Sequence, residues 1–285
     1  MKRGFEEKII LISLIGIIAS IYLILNLNTC LKAEAVFFDV GQGDSALLKS
    51  CRHSILIDTG SGTAAASGLA REIPSADGRL DILLLSHLQS DHMGGVWKII
   101  GSRKIGALVV PEGAVEDPKA RAMIDFAKAE GMAVVEVSRG SKLKMSGLEV
   151  DILWPLKNIK LPSENDGAIV ALARFADWKI LFTSDIGART ESYLTEEDLR
   201  SDVLKVAHHG SKYSSTLEFL KSVSPALSVM QLSLNNSYGH GGAEIMERLE
   251  GVGSRVLRTD KNGEIRISKE GGDIYAQCTK GCGAN

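Results

Sequence analysis

The sequence predicts an α/β protein built as a four-layer αββα sandwich and preceded by one N-terminal transmembrane helix. Two observations lead to this prediction. Short β-branched or apolar segments alternate with amphipathic helical segments in two successive β-rich halves. An uncharged apolar run stands before them, between Lys8 and Lys32.

The composition is that of an ordinary globular protein. The 285 residues include 33 Lys and Arg against 35 Asp and Glu, and the formal net charge is −2. Proteins that capture nucleic acid over their whole surface are usually strongly basic. Any contact with nucleic acid must therefore be local.

The first element along the chain is the apolar run. Residues 9–31 contain no charged side chain, and a helix of this length can cross a hydrocarbon core of roughly 30 Å. Basic residues flank its N-terminal side, which predicts residues 1–8 in the cytoplasm and residues 33–285 outside. A cleaved or lipidated leader and a buried core helix are the alternatives.

Residues 33–285 contain no Pro- or Ser-rich linker, so we expect one domain. Glycine turns separate the first three expected strands, which should form a meander. The first half should contain strands at 35–40, 45–49, 54–58, 81–86, 107–110, 133–137 and 148–154 and a helix at 118–130.

The second half repeats this pattern, beginning with a hairpin about Asp177. It should contain strands at 168–175, 179–185, 202–207, 227–230, 255–258 and 264–268, and helices at 189–194, 216–223 and 243–252. Two β-rich halves, each covered by helices, give the four-layer sandwich.

Metal-ligand side chains follow three of these strands. His87, Asp91 and His92 come directly after the run DILLLS, Asp185 ends KILFTSD, and a pair of histidines, His208 and His209, follows DVLKVA. Imidazole and carboxylate groups that converge from strand ends suit a divalent cation. His53, in a polar turn, is expected to be a surface residue.

Several other residues have two interpretations. Asp58 is either a turn residue at a strand end or a partner that orients a metal-bound histidine. Lys205 and Lys212 are either solvated charges or phosphate contacts. Cys278 can pair with Cys282 or with Cys51, or the thiols can be free.

The sequence resembles the metallo-β-lactamase superfamily. The signature His-x-His-x-Asp-His after an apolar strand stands here as His-Leu-Gln-Ser-Asp-His at 87–92. Within that superfamily it looks most like the extracytoplasmic hydrolase domain of ComEC-type competence proteins. The segments that carry this resemblance are FFDVGQGDSALL (37–48), SILIDTG (54–60), SHLQSDHMGG (86–95), LFTSDIG (181–187), LKVAHHGSKYSS (204–215) and NSYGHGG (236–242).

The resemblance implies one or two divalent ions, zinc or manganese. The ligands that it implies are His87, Asp91, His92, Asp185 and His208. Gln89 and Asn165 stand where many members have histidine, which implies a strong site around a bridging Asp185 and a weaker site that uses His87. Whether His208 or His209 binds metal is open at this point.

The competence-type motifs favour DNA, preferably single-stranded, as the substrate. Metal ions would lower the pKa of water toward about 7 and so supply hydroxide. Expected donors to phosphate oxygens are Lys205, Ser211, Lys212 and Asn236, and the expected proton donors to the leaving alkoxide are His209 or His240.

Two other functions stay open from the sequence. One is a hydrolase of small lactam, lactone or ester substrates, because the fold alone does not select the substrate. The other is a non-catalytic binding protein with a degraded metal site. Competence proteins of this type also carry a multi-helix membrane channel, so the resemblance implies a separate channel protein as a partner.

Overall fold

The computed structural model describes residues 2–30, 33–74, 78–159 and 161–283, and within the first helix the side chains of residues 8 and 10–23. The described residues form two mixed β-sheets that pack face to face, with helices on both outer faces. This arrangement confirms the predicted αββα sandwich.

The strands alternate with short helices along the chain. The strands are β1 (Glu34–Phe37), β2 (Ala46–Ser50), β3 (His53–Ile57), β4 (Leu80–Leu84), β5 (Ile105–Pro111), β6 (Ala133–Val137), β7 (Lys142–Met145), β8 (Leu148–Trp154), β9 (Val170–Arg174), β10 (Lys179–Phe182), β11 (Val203–Lys205), β12 (Leu227–Met230), β13 (Arg255–Arg258), β14 (Ile265–Glu270) and β15 (Asp273–Cys278). The helices are α1 (Lys2–Cys30), α2 (Ala64–Glu72), α3 (Ser90–Met93), α4 (Val96–Ile100), α5 (Pro118–Ala129), α6 (Ala188–Leu194), α7 (Leu217–Val223), α8 (Ala243–Gly251) and α9 (Thr259–Asn262), with 3₁₀ turns at Asn165–Gly167 and Ala207–Gly210.

Both sheets combine an antiparallel part with a parallel part. The first has the strand order β15-β14-β1-β2-β3-β4-β5-β6 and the second β13-β12-β11-β10-β9-β8-β7. Strands β1 to β3 form the predicted antiparallel meander, and β3 to β6 run parallel. In the second sheet, β7 to β10 are antiparallel and β10 to β13 parallel. The carboxyl ends of the parallel strands form the edge at which ligands usually bind in such sheets.

Three apolar layers hold the sandwich together. Side chains of both sheets fill the central layer, where Phe37 and Phe182 stack with ring centroids 5.9 Å apart. A second layer, which includes Leu69, packs α2, α4 and α5 on the first sheet, and a third, which includes Phe219 and Leu249, packs α6, α7 and α8 on the second. Burial of these apolar faces is the main source of stability.

Several elements differ from the sequence expectation. Helix α2 and the edge strands β7 and β15 were not expected: α2 is rich in small residues, and the two edge strands are short and alternate exposed with half-buried residues, so neither contains a fully buried apolar segment. The strand expected at 202–207 ends at Lys205, where the chain enters a 3₁₀ turn. Cys278 pairs with Cys282 in a disulfide, which was one of the open alternatives.

Helix α1 presents its apolar side chains to the surroundings. Those of Ile10, Ile15 and Leu23, like the other large apolar side chains described between them, are more than half exposed. Among the described residues, no helix combines the length and the apolar character that a membrane crossing needs. Residues 31 and 32, where the expected anchor ends, and the side chains of 24–30 lie outside the described part.

Candidate metal centre

The candidate site lies where parallel strands of both sheets end. His87 follows β4, Asp91 and His92 belong to the short helix α3, Asp185 follows β10, and His209 follows β11. Because the two sheets pack face to face, side chains from these strand ends approach one another across the sandwich. The structure thus brings together most of the residues expected to be ligands.

Four of these side chains form a compact cluster. One ligand atom from each of Asp91, His92, Asp185 and His209 lies within 4.8 Å of the others. Asp185 stands between the two histidines: its Oδ1 lies 3.3 Å from Nε2 of His92, and its Oδ2 lies 3.3 Å from Nε2 of His209. Nε2 of His209 is also 3.4 Å from Oδ2 of Asp91. Asp185 would therefore contact a divalent ion held by either imidazole.

Buried polar atoms without hydrogen-bond partners indicate that a metal ion would fit this cluster. Nε2 of His87, Nε2 of His92, Nε2 of His209 and Oδ1 of Asp185 are buried and have no hydrogen-bond partner among the described residues. Each such atom costs free energy unless something binds it. A divalent cation would satisfy them together, and two imidazoles with two carboxylates are a donor set that zinc and manganese accept.

Asp58 orients His92. Nδ1 of His92 lies 2.8 Å from Oδ2 of Asp58, and this carboxylate accepts hydrogen bonds from the backbone N–H and the hydroxyl of Ser86, both at 2.7 Å. A proton on Nδ1 leaves the lone pair of Nε2 free for a metal. Of the two interpretations of Asp58, the structure supports the orienting partner.

His209, and not His208, belongs to the four-residue cluster. Both residues have positive φ, 49° and 53°, so successive imidazoles point in different directions, with an angle of 78° between the rings. His209 is buried, and its Nδ1 lies 2.9 Å from the carbonyl of Gln231. Nε2 of His208 lies 3.7 Å from Oδ2 of Asp185, and 31% of its side chain is exposed. The ligand role of His208 stays a prediction.

A buried ion pair stands behind the cluster. Lys205 is only 1% exposed, pairs with Asp44 and donates to the backbone carbonyl of Ser184. Oδ1 of Asp44 in turn lies 3.3 Å from Nδ1 of His209. This position corrects the expected phosphate contact of Lys205, because its ammonium group faces the protein interior.

The carboxylates control the protonation of the histidines. Burial by itself would lower the pKa of His92, but Asp185 and Asp58 raise it to about 10. Burial also opposes the charge on His209, yet Asp185 and Asp44 raise its pKa well above the ordinary value. Without a metal, the carboxylates therefore favour the protonated form of both imidazoles.

Three further histidines have lowered pKa values. Burial lowers the pKa of His87 and of His208, and burial together with the neighbouring His208 and His209 lowers the pKa of His240 to about 4. His240 is thus neutral at pH 7 without a metal, and its role as a proton donor stays a prediction. His87 contacts the hydroxyl of Ser86 at 3.1 Å, and its ring lies 4.1 Å from that of His92. His53 lies beside Asp81, as expected for a surface histidine.

An open cavity of about 830 Å³ leads to the cluster. Its lining includes Asp91, Asp185 and His209, together with residues of the rim such as Lys119 and Tyr238. Lys119 forms an ion pair with Glu164, which also lines the cavity. The sequence patterns did not single out Lys119, because an isolated lysine carries no spacing signal, and they gave Tyr238 no role, although it lies in the segment NSYGHGG.

The other expected phosphate contacts have distinct surroundings. Ser211 is 2% exposed, and its hydroxyl accepts from the backbone of Tyr213. Lys212 is exposed, with its Nζ 5.1 Å from the centre of the Tyr213 ring. Asn236 binds its own loop, donating to the carbonyl of His240 at 2.6 Å.

We expect Lys205→Met to lower the free energy of unfolding by about 3–5 kcal/mol, because it leaves the buried carboxylate of Asp44 unpaired. The matched control Lys212→Met changes an exposed lysine and should cost less than about 0.5 kcal/mol. Urea unfolding of both variants measures the difference. Equal effects would show that the Lys205–Asp44 pair is not buried as described.

The chain is similar in sequence to a known family and to several curated proteins. The family model of the metallo-β-lactamase superfamily matches residues 38–231. ComE operon protein 3 of Bacillus subtilis is 32% identical over 273 residues, which cover 88% of this chain and 35% of that protein. Competence protein ComA of Neisseria gonorrhoeae is 27% identical over 250 residues, 86% of this chain and 34% of that protein. The chain thus spans about a third of the length of these curated relatives.

Solved structures are similar in fold. The metallo-β-lactamase fold protein YhfI of Bacillus subtilis superimposes with a TM-score of 0.57 at 15% identity, over 86% of this chain and 100% of that one. An identity this low shows a shared fold. It does not indicate a shared substrate.

Proposed function

This chain belongs to the metallo-β-lactamase superfamily, and we propose that it is a metal-dependent hydrolase that cleaves phosphodiester bonds in DNA, preferably in single strands, outside the cytoplasm. The observation that carries the hydrolase proposal is the set of buried ligand atoms without hydrogen-bond partners among the described residues, which converges on Asp185 beneath an open cavity.

The chain offers one well-formed metal site and the start of a second. Asp91, His92, Asp185 and His209 would hold one divalent ion, and His87 and His208 stand beside them for another. A bound divalent ion supplies Lewis acidity, which lowers the pKa of water toward about 7 and polarises a phosphoryl oxygen.

The protein's own side chains prepare this chemistry. Asp58 fixes the ring of His92, and the carbonyl of Gln231 fixes the ring of His209, so that each presents Nε2 to the cavity side of the cluster. His240 is neutral near pH 7 and can accept a proton or a hydrogen bond at the cavity wall. Lys119 brings positive charge to the rim.

Two features favour DNA as the substrate. Competence is the capacity of cells to take up DNA, and a relative that matches most of this chain is called a competence protein. The cavity is open and has a polar lining, which suits a chain-like anionic substrate better than the enclosed, mostly apolar pockets that bind small neutral molecules.

The first test combines metal, substrate and variant. Wild-type protein with Mn²⁺ or Zn²⁺ should cleave a fluorescent single strand, and Asp185→Asn should reduce the rate about 100-fold or more, because the carboxylate that faces both His92 and His209 would be lost as a ligand. Lys119→Met should flatten the dependence of log rate on log salt by about one unit. Lys128→Met, on the same helix α5, is the matched control and should leave this salt dependence unchanged.

The same preparations should be tested on a chromogenic lactam and a lactone. Turnover of either, with no metal-dependent cleavage of DNA, would replace the nuclease by the small-substrate hydrolase. Metal binding below stoichiometric amounts together with no turnover of any substrate would favour the binding protein.

The proposal also includes an anchor at residues 9–31 that holds the hydrolase domain, residues 33–285, outside the cytoplasm. It is supported by the exposed apolar side chains of α1 and by the Cys278–Cys282 disulfide, a bond typical of oxidising compartments. The separate channel protein stays a prediction.

We expect full-length protein to remain in membranes after carbonate extraction, and the double variant Ile15→Arg/Ile18→Arg to be released, since a charge at mid-bilayer costs about 2.5–3.5 kcal/mol per residue. Immunoblots of both fractions measure the distribution. Full-length, uncleaved wild-type protein in the soluble fraction would contradict the anchor.

A further inference from the structure

An exposed tyrosine stands at the wall of the cavity. Tyr238 lies in the loop between β12 and α8 and is 72% exposed. Its ring stacks on that of His240, with centroids 5.5 Å apart and planes 12° from parallel. Single exposed aromatic residues are common on protein surfaces, so exposure alone does not indicate a function. The position and the stacking of this ring carry the argument.

The loop holds the ring pair in place. Asn236 donates through Nδ2 to the carbonyl of His240 at 2.6 Å and accepts through Oδ1 from the N–H of Tyr238 at 3.2 Å. The N–H of Gly241 donates to the carbonyl of Gly210 at 2.8 Å, which ties the loop to the segment after β11. The two rings therefore form a preorganised surface, and ordering it on binding costs little.

A series of neighbouring aromatic rings connects the four-residue cluster with this surface. The His240 ring lies 6.4 Å from that of His209, a member of the cluster, and 5.3 Å from that of His208. Tyr238 and His240 line the same cavity as Asp91 and Asp185. A molecule that reaches the cluster through this cavity can thus contact the exposed face of Tyr238.

The charge of the cavity limits how it can hold a polyanion. The described lining holds one lysine, Lys119, which is paired with Glu164, and Asp91 and Asp185 are carboxylates, so side-chain charge can contact one phosphate and cannot by itself hold a longer strand. Stacking of bases on aromatic rings supplies affinity that does not depend on such charge and tolerates any sequence. Bases within a duplex are already stacked and paired, and are not available to it.

We propose that Tyr238, supported by His240, stacks a nucleobase of a single strand whose neighbouring phosphate lies at the four-residue cluster. This inference rests on the proposed function and adds a specificity-determining residue to it. Tyr238 makes the site prefer a single strand to a duplex and to phosphodiesters without a base.

The experiment compares substrates with and without bases. For Tyr238→Ala, we expect kcat/KM on a single strand, divided by kcat/KM on bis(p-nitrophenyl) phosphate, to fall about tenfold, mainly through KM. Tyr238→Trp should keep the wild-type ratio. The matched control is Tyr275→Ala, which removes an exposed tyrosine from the edge strand β15 and should also keep it.

A second measurement reports stacking directly. A strand that contains 2-aminopurine should lose fluorescence when it binds wild-type protein, and should lose much less with Tyr238→Ala. A strand of the same length without bases should be cleaved by the wild type as poorly as an ordinary strand is by Tyr238→Ala.

The outcomes separate this inference from the proposed function. An unchanged substrate ratio in Tyr238→Ala, in a wild type that cleaves DNA, overturns the stacking role and leaves the nuclease standing. Wild-type protein that cleaves bis(p-nitrophenyl) phosphate but not DNA overturns both the stacking role and DNA as the substrate, and leaves a metal-dependent phosphodiesterase. Failure to cleave either phosphodiester overturns both proposals.

Discussion

The structure depends on a surplus of buried negative charge. Three buried carboxylates, those of Asp44, Asp58 and Asp185, and the half-buried carboxylate of Asp91 surround His92 and His209 and meet a single buried ammonium group, that of Lys205, among the described residues. Charges removed from water are costly unless cations compensate them. Three negative charges are thus left for the imidazoles or for metal ions to neutralise. The cluster is therefore built to hold cations.

The need to hold cations explains the unusual backbone conformations at the site. Asp58, Ser184, His208 and His209 all have positive φ, a conformation that side chains other than glycine rarely adopt. Residues of this kind cluster at functional sites, where the surrounding structure fixes them. Here they follow β3, β10 and β11, and each turn directs a polar side chain back toward the seam between the sheets.

Most of the correct sequence predictions rest on the apolar strands and on the residues that follow their ends. Alternating apolar segments predicted the sandwich, and the ligand types after them predicted the positions of Asp91, His92 and Asp185. The choice between His208 and His209 was not predictable, because it depends on two successive residues of positive φ, which no propensity indicates. Lys205 was assigned to the surface by default, since lysine is almost never fully buried without a partner, and that partner, Asp44, lies far away in sequence.

The proposed specificity depends on the rim of the cavity rather than on the fold. The superfamily fold positions the ligands, whereas Lys119 comes from helix α5, and Tyr238 and His240 come from the loop between β12 and α8. Loops change more readily than the elements they connect, so specificity concentrates there. The same metal cluster can therefore serve different substrates in different members.

The measurement that tests the account most directly is the number of protons released when the metal-free protein binds Mn²⁺ or Zn²⁺. Without metal, the neighbouring carboxylates raise the pKa of His92 to about 10 and raise that of His209 well above its ordinary value, so binding at pH 7 should release about two protons. Titration calorimetry in buffers of different ionisation enthalpy gives this number. Heats that do not depend on the buffer would show that these imidazoles do not exchange protons for metal, and would contradict the account.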